Sequence, residues 1–208
     1  MISENLAQLF SNLSRDNVSY FSENWSIIID NKDIKENFLS YCLEEKAFKV
    51  FEFAVSKGLN ELRIIVLANA IRNDDNKIIS LIIDNKLFQY QDKKASDLLS
   101  ISVNNNDIKV VNFLLDKVNI SDDILMFALA GHSKEFLIKF TEMGFTWNYI
   151  NPEQNPVVYV MEDYKSEKSE YINLILTQSS QAEKIKHDAI FYFEGTQNAL
   201  ILNEILNK

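Results

Sequence analysis

The stretch LLSISVNNNDIKVVNFLLDKVNI, residues 98–120, decides the fold. It opens with an apolar run from Leu98 to Val103, breaks at Asn104-Asn105-Asn106-Asp107 and resumes at Ile108. Beyond that point Ile108, Val111, Leu114 and Leu115 fall at i, i+3, i+6 and i+7, the spacing that lines one face of an α-helix. Val110 and Phe113 widen the stripe. The spacing predicts a helical hairpin: a first helix over 98–103, a polar turn, and a second helix over 108–117. Both flanks of such a hairpin are apolar, so it needs neighbours to cover them.

Working outward, the same pattern recurs. VLANAIRNDDNKIISLIIDNKLF (66–88) places Ile78, Ile79, Leu81, Ile82 and Ile83 in the slots of Val110, Val111, Phe113, Leu114 and Leu115. FLSYCLEEKAFKVFEFAVSKG (38–58), ILMFALAGHSKEFLIKFTEMG (124–144) and PVVYVMEDYKSEKSEYINLILTQ (156–178) repeat it. The starts at 38, 66, 98, 124 and 156 are 28, 32, 26 and 32 residues apart. A weaker sixth unit spans 184–208, with helices expected around 185–193 and 197–206. Periods in this range are the mark of repeat architectures, in which each unit buries its apolar face on the next.

This pattern resembles the ankyrin repeat, a short helix, a turn, a longer helix and a projecting loop in about 33 residues. The segment Ile108-Lys109-Val110-Val111-Asn112-Phe113-Leu114-Leu115-Asp116-Lys117 carries the resemblance best, and Lys57-Gly58 and Met143-Gly144 match the glycine that follows the family's second helix. The family's Thr-Pro-Leu-His signature is missing from every unit; Pro156 alone fills its proline slot, and Lys46, Asp74, Asn106 and His132 replace the turn glycine. The resemblance implies an all-α solenoid of about five to six repeats over 34–180, with a helical cap over 1–33 and a capping repeat over 181–208. A generic helical-hairpin solenoid is the structural alternative. In the first cap, helices are expected over 4–13 and 16–29, with Leu6, Leu9, Phe10 and Leu13 on one face; a polar outer face is expected for the last repeat.

Composition narrows the function. An apolar fraction of 47% is ample for a core, while two prolines and four glycines are too few for a sandwich or barrel. The net charge of -9 argues against nucleic acid, whose phosphates are neutralised by Lys and Arg, and against anionic lipid. It suits a basic protein partner, because opposite charge speeds encounter. Cys42 is the one cysteine, so no internal disulfide forms and a reducing compartment is expected. MISENLAQLF lacks the basic start and apolar run of a signal peptide, and no apolar run approaches the ~20 residues that span a bilayer, so a cytoplasmic location is expected.

No catalytic constellation stands out. His132 and His187 fall in separate units, and Cys42 takes the slot of a small inner residue of a first helix. The pairs Asp74-Asp75, Asp122-Asp123 and Glu162-Asp163 read as turns and helix caps, with Asp122 or Asp123 capping the helix at Ile124 and Ser96 or Asp97 the helix at Leu98. No metal, cofactor or catalytic residue is assigned. In ankyrin stacks the concave surface joins the first helices to the inter-repeat loops. Carried onto this chain, it comprises Glu44, Glu45, Arg72, Asn73, Asn104, Asn105, Glu162 and Asp163 at the ends of first helices. Glu36, Ser96, Asp122 and Gln154 lie on their approaches. The loop aromatics Tyr90, Trp147 and Tyr149 either anchor a partner or fold back over a neighbouring repeat. Tyr164–Lys168 is an insertion expected at an edge. The expected function is protein binding: a small inhibitor that neutralises its partner through an acidic face, as immunity proteins do with basic nuclease toxins. A non-catalytic effector or scaffold is the alternative.

Overall fold

The computed structural model describes residues 2–207, with side chains from Ala7 onward. Leu6, expected on the first cap's apolar face, therefore lies outside the described side chains. Every regular element among the described residues is helical. The chain divides into two compact units, the boundary falling between Leu98 and Leu99.

The first unit holds α1 (Ile2–Leu13), α2 (Val18–Glu23), α3 (Trp25–Ile29), α4 (Lys32–Glu44), α5 (Phe48–Ser56), α6 (Ile64–Arg72) and α7 (Asn76–Asp84). Here α4 packs on α3, α5 and α6, α2 packs on α5, and α6 packs on α7. Their apolar faces bury Leu9, Leu13, Phe21, Phe38, Leu39, Leu43 and Phe51. Trp25 closes the cluster edge-on to Phe38 and Phe53, at 6.0 and 5.2 Å between ring centres. The expected helix over 16–29 is broken at Asn24, which ends α2 and precedes α3.

The unit boundary falls inside α8 (Lys93–Asn104). The second unit continues with α9 (Ile108–Leu114), α10 (Ile124–Ala130), α11 (Lys134–Glu142), α12 (Pro156–Asp163), α13 (Lys168–Gln178), α14 (Ala182–Tyr192) and α15 (Gln197–Leu206). Neighbouring helices pair again: α10 with α11, α12 with α13, and α13 with α11, α14 and α15. The Phe136, Phe140, Val158, Ile172 and Ile185 side chains are fully or almost fully buried there.

Five helix-to-helix turns obey one rule, while the α12–α13 and α14–α15 turns do not. Asp16, Lys46, Asp74, Asn106 and His132 all have φ between 50° and 58°, the left-handed region. Each donates its amide to the carbonyl three residues back, and the next residue donates to the carbonyl five back: Lys46 to Leu43 and Ala47 to Cys42, for example, at 3.2 and 2.7 Å. This is the Schellman closure, which satisfies two carbonyls left over at a helix end. The positions where glycine was expected thus keep glycine's conformation with other side chains, at a cost of about 1 kcal/mol each.

The residue after each left-handed position opens the second helix. Asn17, Asp75, Asp107 and Ser133 accept from the amides of Tyr20, Ile78, Val110 and Phe136. Ala47 occupies that slot in the α4–α5 hairpin and has no oxygen to offer. Asp16 supplies it from the preceding hairpin, its carboxylate accepting from Lys49 N at 3.1 Å and Val50 N at 2.8 Å. One missing cap is therefore replaced by a tie between two hairpins.

Four expectations need correction. Helix α8 begins at Lys93, so Ser96 and Asp97 are interior residues and not caps. Asp123 stands at the N-cap of α10 without a capping bond, because its carboxylate takes the Ser121 hydroxyl instead. Helix α9 ends at Leu114, short of Lys117. The last hairpin does not have a polar outer face: Phe191 and Leu200 are 67% and 68% exposed.

Candidate functional site

In the first unit an open hollow of about 590 Å³ lies where the α4–α5 and α6–α7 turns meet. Its apolar lining, Leu43, Val66, Ala70 and Ile78, is buried core of the helices beneath. Its polar lining is Glu44, Lys46, Asn69, Asn73, Asp74 and Asn76, all exposed, with Asp75 beside them. Three carboxylates against one lysine make the lining acidic. Arg63 and Arg72 at the flanks balance the remaining formal charge, so the recess taken with its rim is close to neutral and rich in amides. Arg63 pairs with Glu44 and lies 5.5 Å from the Tyr41 ring centre, while Arg72 donates to Asn69 Oδ1 at 2.8 Å. The Arg63–Glu44 pair is about 41% exposed on each side, where such contacts contribute under about 1 kcal/mol.

Of the expected surface, the structure brings Glu44 and Asn73 into this recess, with Arg72 alongside. Glu45 ends α4 and is exposed, and half-buried Glu36 pairs with Lys32 at 3.6 Å on the same helix. Sequence reasoning missed Asn69 and Asn76. The signal was available for Asn69, an amide in the middle of the apolar run IIVLANAIR.

In the second unit Asn104 and Asn105 are exposed at the end of α8. The Asn104 carbonyl approaches Gly131 so closely that an added Cβ there would lie 2.4 Å from its oxygen. Asn106 Nδ2 donates to Gly131 O at 2.5 Å, locking the two turns together. Exposed Glu162 accepts from the Tyr192 hydroxyl at 3.2 Å, and Asp163 is exposed beside it at the end of α12. Gln154 is exposed, but its Oε1 is engaged by the amides of Ile150 and Asn151. Asp122 is exposed and lines a shallow recess with Trp147 and Gln181. Ser96 is half-buried within α8, not on an approach to it.

The loop aromatics fold back. Trp147 is 5% exposed and offers no face to a partner, which corrects its place on the expected surface. Tyr149 is half-buried, its hydroxyl donating to Asp188 Oδ2 at 2.9 Å with Lys184 over its ring. That hydrogen bond holds the Asp188 carboxyl below the usual carboxylate range. Tyr90 packs edge-on to Phe88. The loop residue that does stand out is Ile150, 89% exposed.

The insertion Tyr164–Lys168 is no free edge either. The Tyr164 hydroxyl donates to Leu129 O, Tyr171 donates to His132 O, and the His132 ring stacks on Tyr164 with centres 4.0 Å apart. Lys134 binds Glu170 and Glu167 below them, and those bonds push its pKa up to about 12. His132 thus pins neighbouring hairpins. Cys42 is fully buried, and burial pushes its thiol well above the usual range, leaving it protonated and unreactive at neutral pH. Among the described residues no cluster of three or more His, Cys, Asp or Glu is arranged to hold a metal ion, and no helix is long and apolar enough to cross a membrane. Comparison with protein-family models, with curated proteins and with solved structures finds no match.

Proposed function

We propose that this chain is a divergent ankyrin-type solenoid that binds another protein, acting as a small inhibitor or immunity-type protein that neutralises a basic partner. The observation that carries the reading is the amide- and carboxylate-rich recess at the α4–α5 and α6–α7 turns, with Glu44 and Asn73 in its lining. Rigid turns present these side chains at low entropic cost, because the Schellman bonds fix the backbone before a partner arrives. Carboxylates and amide oxygens accept hydrogen bonds from Lys and Arg without demanding a deep apolar pocket. The buried, protonated Cys42 is unsuited to nucleophilic work, which favours binding over thiol chemistry. A cytoplasmic location belongs to the same reading, since a single buried thiol suits a reducing compartment.

The test is co-expression with the product of the adjacent gene, followed by isolation of the complex and charge reversal. Glu44→Lys with Glu45→Lys is expected to leave helicity intact and weaken the complex at least tenfold, mainly through slower association. Glu162→Lys with Asp163→Lys tests the α12 contribution in the same way. A complex that keeps its affinity through both reversals removes the acidic-face reading.

A further inference from the structure

Three exposed amides line the recess at the α4–α5 and α6–α7 turns: Asn69, Asn73 and Asn76. Two of the carboxylates around them are already engaged, Glu44 by Arg63 and Asp75 by the Ile78 amide. The amides are not. The Asn73 and Asn76 side chains have no hydrogen-bond partner among the described residues. Asn69 accepts from Arg72 at its oxygen, which orients the amide and leaves one lone pair and both of its hydrogens for a ligand. Beneath them lie Val66 and Ala70, short side chains that let a backbone come close.

We propose that this recess takes an extended segment of the partner protein and grips its main chain through Asn69 and Asn73. The inference rests on the recess being the binding face. An amide side chain holds an acceptor and a donor side by side, the complement of the N–H and C=O that one residue of an extended strand turns to the same edge. Asn69 and Asn73 stand one above the other on the same side of α6, four residues and about 6 Å apart along its axis. Alternate residues of a strand, which turn to the same edge, repeat every ~6.6 Å. Successive amides on α6 therefore meet every second residue of such a segment. The nine residues of α6 run about 13 Å, the length of four extended residues. A main chain is uncharged, which suits a hollow whose formal charges nearly cancel. Basic side chains of the same segment reach Glu44 at the rim, joining this grip to the charge preference proposed above.

Two capped hexapeptides test this, one alternating Lys and Ala and one alternating Thr and Ala, each titrated into the nitrogen-15-labelled full chain and followed by NMR. The basic peptide is expected to bind with Kd below about 1 mM and the uncharged one within about tenfold of it. Both are expected to shift the side-chain amide signals of Asn69, Asn73 and Asn76. Asn69→Ala with Asn73→Ala, at exposed positions, is expected to keep native far-UV circular dichroism and weaken both peptides about fivefold or more. Glu44→Lys is expected to weaken the basic peptide alone. If the basic peptide binds while the uncharged one shifts nothing up to about 10 mM, charge recognition stands and the main-chain grip is overturned. Binding of both peptides that survives the double substitution overturns it too. So does silence from both peptides, and the co-expressed complex then decides separately whether the recess is the binding face.

Discussion

Replacing Gly131 by alanine separates backbone freedom from space. Gly131 ends α10 with φ near -79° and ψ near 1°, a conformation any residue adopts. On propensity alone the change would stabilise, by about 0.4–1 kcal/mol, through a less disordered unfolded chain. The structure reverses the sign. The new Cβ would sit 2.4, 2.9 and 3.0 Å from the oxygen, carbonyl carbon and Cα of Asn104, all backbone atoms that cannot rotate away. Separating the two turns also stretches the Asn106–Gly131 hydrogen bond. Overpacking of this kind costs about 1–3 kcal/mol, leaving a net loss of about 1–2 kcal/mol. For a chain of this size that lowers Tm by roughly 2–8 °C. Gly58→Ala is the control: nothing lies within 4 Å of its Cβ, and its cost comes only from φ of +90°. Thermal and urea unfolding followed by circular dichroism measures both. A Gly131→Ala protein as stable as the parent would refute the close approach of the two turns.

Asp16→Ala should destabilise by about 1–2 kcal/mol in urea unfolding, as loss of a cap does, and Ala47→Asp should recover most of that loss by restoring a local cap. The Tyr149–Asp188 bond lowers the folded-state pKa of Asp188, so its contribution is present above the ordinary carboxylate value and lost as pH falls through the lowered one. Tyr149→Phe should therefore reduce stability at neutral pH and flatten the acid limb of the stability profile; an unchanged acid limb contradicts the linkage.

Hairpin positions were legible because apolar spacing reports helix faces directly: the second helices bury Val110, Val111, Leu114, Ile78, Ile82, Phe136, Leu137 and Phe140, whereas Ile108, expected on the same face, is 49% exposed and Ile79, Leu81, Ile83 and Phe113 are half-buried. The four turn positions Lys46, Asp74, Asn106 and His132 were also legible, from their place between periodic runs. Boundaries in polar sequence were not. Lys93 to Asp97 has almost no apolar residue to show a period, so five residues of α8 went unseen. Long-range partners leave no local trace: nothing near Ala47 points to Asp16, and nothing in the Trp147 loop shows that its ring is covered. The recess was half legible, since Glu44 and Asn73 follow from repeat alignment and Asn69 is signalled by an amide inside an apolar run, whereas Asn76 depends on how two hairpins abut.

The central structural claim is that one left-handed, Schellman-closed turn recurs between α1 and α2, α4 and α5, α6 and α7, α8 and α9, and α10 and α11. Solution NMR measures it directly, through backbone φ at Lys46, Asp74, Asn106 and His132. The account predicts positive φ at all four, seen as short intraresidue distances between the amide and α protons, within otherwise helical flanks. Negative φ at these residues, with helix running through the turns, would contradict it.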